Sequence, residues 1–186
     1  ALIGQSSARV ELTNMIGASL LSLNEVDAAE PVIDRALAEG ERTLGPTHHE
    51  TVRAVFLRSQ VHRRRGRPQQ ASEDVDRVLP TLRQRIDIGD GAEGLAIALL
   101  HRAQTAIDVG AYAEGERFAQ ECWQVSHDRF EAGHPRRARS AVLLALALRH
   151  TRKFEQALAI EKTAHAETLA QHGDAAPNPD VIEARG

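Results

Sequence analysis

The chain has 186 residues, a formal net charge of −3, one cysteine and only 3% aromatic residues. A single cysteine excludes a disulfide framework and a multi-cysteine zinc site, and no run of about 18 apolar residues offers a membrane span. A hydrophobic share of 42% suffices for the core of one domain or one short repeat array.

The opening ALIGQSSARV has no initiator methionine and no basic stretch ahead of an apolar one, so it reads as part of a longer protein rather than as a signal peptide. Alanine, leucine, arginine and glutamate dominate, all strong helix formers, and no strand-length window alternates β-branched with polar residues. Breakers stand at Gly45-Pro46, Gly66 with Pro68, Gly89 to Gly91, Gly110, Gly133 to Pro135 and Gly173 to Pro179. They leave stretches of roughly five helical turns each. Helices are predicted over 6–23, 26–44, 49–65, 69–87, 93–109, 112–132, 135–151 and 154–172, followed by a Pro-, Ala- and acid-containing flexible tail over 173–186.

The helices repeat in pairs. With Asn24, Gly66, Gly110 and Arg152 as the turn inside each hairpin, the spacings are 42, 44 and 42 residues. Seven residues before each turn stand Gly17, Ser59, Ala103 and Ala145, and five after stand Ala29, Ala71, Gly115 and Ala157. Twelve after stand Ala36, Val78, Cys122 and Ala164. Small side chains at fixed offsets let helices approach closely, the mark of a helical repeat array.

These offsets resemble the tetratricopeptide repeat, with its small residue in the first helix, turn glycine and paired alanines in the second. The long period, the joint LGPTHHET at Leu44 to Thr51 and its echo EAGHPRRA at Glu131 to Ala138 resemble the extended kinesin-light-chain type. The resemblance implies an all-α right-handed superhelix of four helix-turn-helix hairpins, spanning 1–172 as one domain with repeats at 6–48, 49–91, 92–134 and 135–172. Arg58 and Arg102 stand where the family places leucine, and Asn24 and Arg152 replace the turn glycine. The opening also resembles repeat regions of bacterial serine/threonine kinases, and similar arrays follow winged-helix domains in bacterial regulators. That implies a bacterial signalling or regulatory context, with a cytoplasmic site favoured over an extracytoplasmic one.

Charge is strongly segregated. Residues 50–67 carry a balance of +5 and residues 135–153 a balance of +6, whereas 1–48, 91–133 and 154–186 each carry −4. The first helices of repeats two and four therefore hold the bases. In tetratricopeptide arrays first helices line the concave groove, and carrying positions over by offset implies a peptide-binding set. It comprises Arg53, Phe56, Gln60, Arg63 and Arg64 from repeat two, His101 and Gln104 from repeat three, and Arg139, Leu143 and Arg149 from repeat four. Arginine forks among apolar contacts suit a protein or peptide partner that is acidic and extended. Phe56 and Leu143 are the expected apolar anchors.

Other chemistries find little support. The overall acidity and scarcity of stacking aromatics argue against nucleic acid. The nine histidines form no HExxH and no one-turn pair backed by an acid; His48 and His134 occupy equivalent joints and are expected to cap helices. Ser126 and His127 are adjacent and diverge by about 100° on a helix, so no nucleophile–base pair arises. Cys122 is expected to be a buried spacer, and Trp123 a packing residue. No catalytic constellation, glycine-rich phosphate loop, metal set or cofactor site is predicted, so this segment is not expected to be an enzyme. Exposed apolar end helices suggest an alternative: an oligomerisation scaffold, such as a homodimer through its ends, with no groove ligand.

Overall fold

In the computed structural model the described residues are 2–172, and among them eight helices and no strand occur. They are α1 (Leu2–Ser22), α2 (Val26–Thr43), α3 (His49–Arg64), α4 (Pro68–Gln84), α5 (Gly91–Asp108), α6 (Tyr112–Arg129), α7 (Pro135–His150) and α8 (Phe154–His172). The expected tail over 173–186 lies outside the described residues.

Four hairpin turns share one geometry. Asn24, Gly66, Gly110 and Arg152 all take positive φ, at 63°, 67°, 80° and 62°. Each left-handed residue donates to the carbonyl three back, and the next residue donates to the carbonyl five back, as in Glu25 to Leu20 (2.9 Å) and Lys153 to Leu148 (2.8 Å). This Schellman closure satisfies the last carbonyls of each first helix. Asn24 and Arg152 therefore keep the glycine conformation despite a side-chain cost of roughly 1 kcal/mol.

Small residues hold the hairpins closed. The Ser59 hydroxyl, fully buried, donates to the Ala71 carbonyl at 2.9 Å across the second hairpin. A Cβ on Gly17 would stand 2.6 Å from Ile33 Cγ1, and one on Gly115 would stand 2.8 Å from Ile107 Cγ1. A larger side chain at either position would force the two helices apart.

Several expected boundaries shift: α1 begins at Leu2 rather than 6 and α5 at Gly91 rather than 93. α4 stops at Gln84 and α6 at Arg129. Phe130 turns out of the helix into extended backbone, where its ring stacks on His134 at 4.5 Å. His134 and His48 cap α7 and α3 as expected, each Nδ1 accepting at 3.2 Å from the amide two residues on. Burial, then the neighbouring His49, holds the His48 pKa below the usual imidazole value, which favours the acceptor form.

The two arginines at leucine positions find acids. Arg58 Nε donates to the buried Asp74 carboxylate at 3.0 Å, with His62 Nδ1 at 2.9 Å from its other oxygen. Arg102 binds Asp76 at 2.8 Å and Glu114 at 3.0 Å while its guanidinium lies 4.9 Å over the Phe118 ring. Their aliphatic stems cover core and their charges are met locally. The core itself runs from α2 to α8, with a smaller cluster of Leu21, Ala29, Ile33, Leu57 and Val61 under the first hairpin.

Candidate functional site

Helix adjacency defines the two faces. First helices touch in series, α1 with α3, α3 with α5 and α5 with α7, whereas no second helix touches another second helix among the described residues. A stack whose members pack closely on one side and splay on the other curves around the close side, so α1, α3, α5 and α7 form the inner surface. All ten predicted contact residues lie on these first helices.

Their surroundings differ from the expectation. Phe56 and Leu143 are each only 5% exposed and belong to the core, yet each also lines a depression on the inner face. His101 is buried too, its ring stacked on Phe56 at 5.5 Å. Burial first, then Arg63 and Arg136, pushes its pKa down to about 4. Gln60 remains half-buried on the inner face.

Most of the groove arginines already hold partners. Arg63 donates to Asp108 Oδ2 at 2.9 and 2.7 Å and to Gln104 Oε1 at 2.9 Å. Arg64 donates to the Leu21 carbonyl and so caps α1. Arg53 lies 3.7 Å from Glu50, a buried carboxylate that accepts from Asn14 at 2.7 Å. Arg149 meets Glu161 at 3.1 Å, and Arg136 meets Glu93 at 2.8 Å. Arg139 differs: exposed on α7, it makes no ion pair or hydrogen bond with any described residue.

Two depressions mark the inner face. The first, about 660 Å³, lies between α3 and α5 near their N-termini. Phe56, Ile97 and Val52 line its floor, and its rim alternates Arg53, Arg85 and Arg136 with Glu50, Asp90 and Glu93. Opposite charges at such short range leave little net field. The second, about 540 Å³, lies between α5 and α7 over Leu100, Ile107, Val142 and Leu146. Arg139 stands on its rim, opposite the Arg63–Asp108 pair. Val142 is 66% exposed, a large apolar side chain left to solvent on the concave face.

On the floor of the second depression Ile107 shares the repeat offset of Arg63 and Arg149, and Leu100 and Val142 share that of Phe56. Leu100, Ile107, Val142 and Leu146 were not in the predicted peptide-binding set. The internal acids carried a signal as well: Arg63 to Asp108, Arg67 to Glu30 and Lys153 to Glu116 are separated by about one repeat.

Chemical groups elsewhere are inert or structural. The Cys122 thiol is buried and donates to the Ala96 carbonyl at 3.3 Å; burial raises its pKa to about 12, far from a reactive thiolate. Trp123 packs against His127, with ring centroids 3.5 Å apart. Among the described residues no group of three or more His, Cys, Asp or Glu could hold a metal, and no helix is long and apolar enough to cross a membrane.

Comparison with known proteins agrees with this architecture. Residues 8–84 match the tetratricopeptide repeat family model, a stretch that runs from α1 to the end of α4. No curated protein sequence matches the chain. Among solved structures, nearly identical TPR-like repeats ascribed to a kinesin light chain of Podosopora anserina align with a TM-score of 0.66 at 15% identity. That alignment covers 88% of this chain and 76% of the other. BtubC (BKLC) of P. vanneervenii aligns with a TM-score of 0.76 at 11% identity, covering 94% and 68%. At these identities the likeness is one of fold. Residues 8–84 are thus similar to tetratricopeptide repeats, a type of module that generally mediates protein–protein interaction, and the described residues have the fold of a tetratricopeptide-repeat array.

Proposed function

We propose that the chain is the protein-interaction module of a larger bacterial signalling or regulatory protein, with residues 1–172 acting as one binding domain. Its concave face takes an extended acidic segment of a partner protein. The observation that carries this reading is the α5–α7 depression, where an apolar floor adjoins a guanidinium without an internal partner. Such a site accepts an apolar side chain and binds a neighbouring carboxylate on Arg139, bidentately where geometry allows. The other arginines of the predicted set act mainly through the surface they shape, because each already neutralises a carboxylate or caps a helix.

The test uses a fluorescein-labelled peptide alternating leucine with glutamate and aspartate, followed by anisotropy at low and high salt. Binding should weaken as ionic strength rises, because the charged contact is at the surface. Arg139→Glu should raise Kd by about tenfold or more, the loss of one charge-assisted contact plus a new repulsion. Arg53→Glu should change Kd by less than about threefold, since Glu50 already screens Arg53. Equal losses from both substitutions, or binding indifferent to salt, would refute the Arg139 assignment.

A further inference from the structure

Each second helix inside the array is covered on its far side by the next first helix: α3 covers α2, α5 covers α4 and α7 covers α6. α8 packs on α7 and reaches α6 at one point, where Glu167 meets His127 Nε2 at 3.2 Å; no helix covers its other side among the described residues. Ala157 is buried there, with Ile160, Ala164 and Glu167 half-buried beside it. The opposite side of α8 is open. Phe154, Leu158 and Leu169 are 62%, 51% and 59% exposed. At 3.6 residues per turn these three share about 100° of arc with Glu161, Lys162 and His165; Glu161, at the edge nearest α7, also meets Arg149 at 3.1 Å.

This open stripe is more apolar than its counterparts. Six residues after the turn, α2, α4 and α6 carry Glu30, Ser72 and Glu116, whereas α8 carries Leu158. Seventeen after the turn, they carry Glu41, Arg83 and His127, whereas α8 carries Leu169. Three large apolar side chains on one helix face form a patch of the kind that marks a protein contact.

We propose that a second copy of the chain covers this patch, with the two α8 helices antiparallel about a two-fold axis. The stripe is self-complementary in that arrangement alone. In an isologous antiparallel pair each residue faces one whose number completes a constant sum. An axis between Glu161 and Lys162 sets Glu161 against the partner's Lys162, Phe154 against the partner's Leu169, and Leu158 against the partner's His165. No like charges oppose one another. A parallel pairing would instead set Lys162 on the partner's Lys162 and Glu161 on the partner's Glu161. Three anchors per copy make a contact at the small end of stable interfaces, so the dimer should form with Kd in the micromolar range, on the order of 1–100 μM.

Sedimentation equilibrium of the full chain over micromolar concentrations tests this, with circular dichroism confirming helicity of every variant. The wild type should show a reversible monomer–dimer equilibrium that persists at high salt. Leu158→Glu should weaken it by about 100-fold, as each copy loses an apolar anchor and a carboxylate must be desolvated in its place. Lys162→Glu alone should weaken it by several-fold, and adding Glu161→Lys should restore it, because the swapped charges again oppose their opposites. Ile16→Glu on α1 should leave it unchanged. A wild type that stays monomeric, a dimer indifferent to Leu158→Glu, or a double swap that fails to restore association would each overturn the proposal. So would a dimer lost in Ile16→Glu and regained on mixing that variant with Leu158→Glu, which would mean head-to-tail assembly. If Leu158→Glu does not fold, the charge swap decides the question, since Glu161 and Lys162 are both exposed.

Discussion

The two depressions lie between successive pairs of first helices yet present opposite surfaces. Between α3 and α5, three arginines are interleaved with three carboxylates, and the apolar floor is narrow and rimmed by paired charge. Between α5 and α7, Leu100, Ile107, Val142, Leu143 and Leu146 line the floor, and the Arg139 side chain has no internal partner among the described residues. The number of arginines on a helix is thus a poor guide to its available charge. Acidic residues about one repeat away decide how much of it reaches a ligand.

The largest expected effect contrasts a buried ion pair between α3 and α4 with the open depression. Asp74→Ala should lower stability by about 3–5 kcal/mol, because Arg58 loses the carboxylate that neutralises it in the core. Val142→Ala, at the exposed floor of the open depression, should cost less than about 0.5 kcal/mol. Chemical denaturation measures both, and similar losses would erase the distinction between the two regions.

His101, stacked beneath Phe56, provides the next test. Its folded-state pKa of about 4 lies below the ordinary 6.5 of the unfolded chain. The neutral form is therefore the one the fold prefers, and its contribution is complete above pH 6.5. As pH falls from 6.5 towards 4, roughly 3 kcal/mol should be lost, at about 1.4 kcal/mol per unit. His101→Phe should flatten that part of the stability profile, leaving the carboxylate titrations at lower pH. A variant with the wild-type profile would show that another group carries the dependence.

Asp108→Asn should sharpen the contrast further by releasing Arg63 from its ion pair. The acidic probe peptide should then bind several-fold tighter, worth about 1 kcal/mol, with little change in stability because the pair is partly exposed. Unchanged affinity would place the ligand carboxylates away from Arg63. The smallest effect belongs to a turn outside both depressions. Arg152→Gly should raise stability by about 0.5–1 kcal/mol, since glycine adopts the positive φ without the Cβ penalty. Thermal melts would register it, and a destabilised variant would mean that the arginine side chain contributes more than its backbone costs.

The repeat itself was legible in the chain. Turn residues at spacings of 42, 44 and 42 and small residues at fixed offsets from them determine eight helices in four hairpins. Those positions are dictated by local backbone geometry and by helix contacts one turn apart, which recur identically in each repeat. Histidine caps at His48 and His134 were legible for the same reason. Phe130 was not, because its ring leaves the helix to stack on His134, a choice made between two elements. Arg63, Arg149 and Arg139 look alike in sequence, and only the tertiary structure distinguishes them. Asp108 reaches the first through the stacking of one repeat on the next, Glu161 reaches the second across their own hairpin, and no acid among the described residues reaches the third. The chain by itself determined where the bases stand; the packing of one repeat on the next decided which remain free, because charge neutralisation depends on distance in space rather than on separation along the backbone.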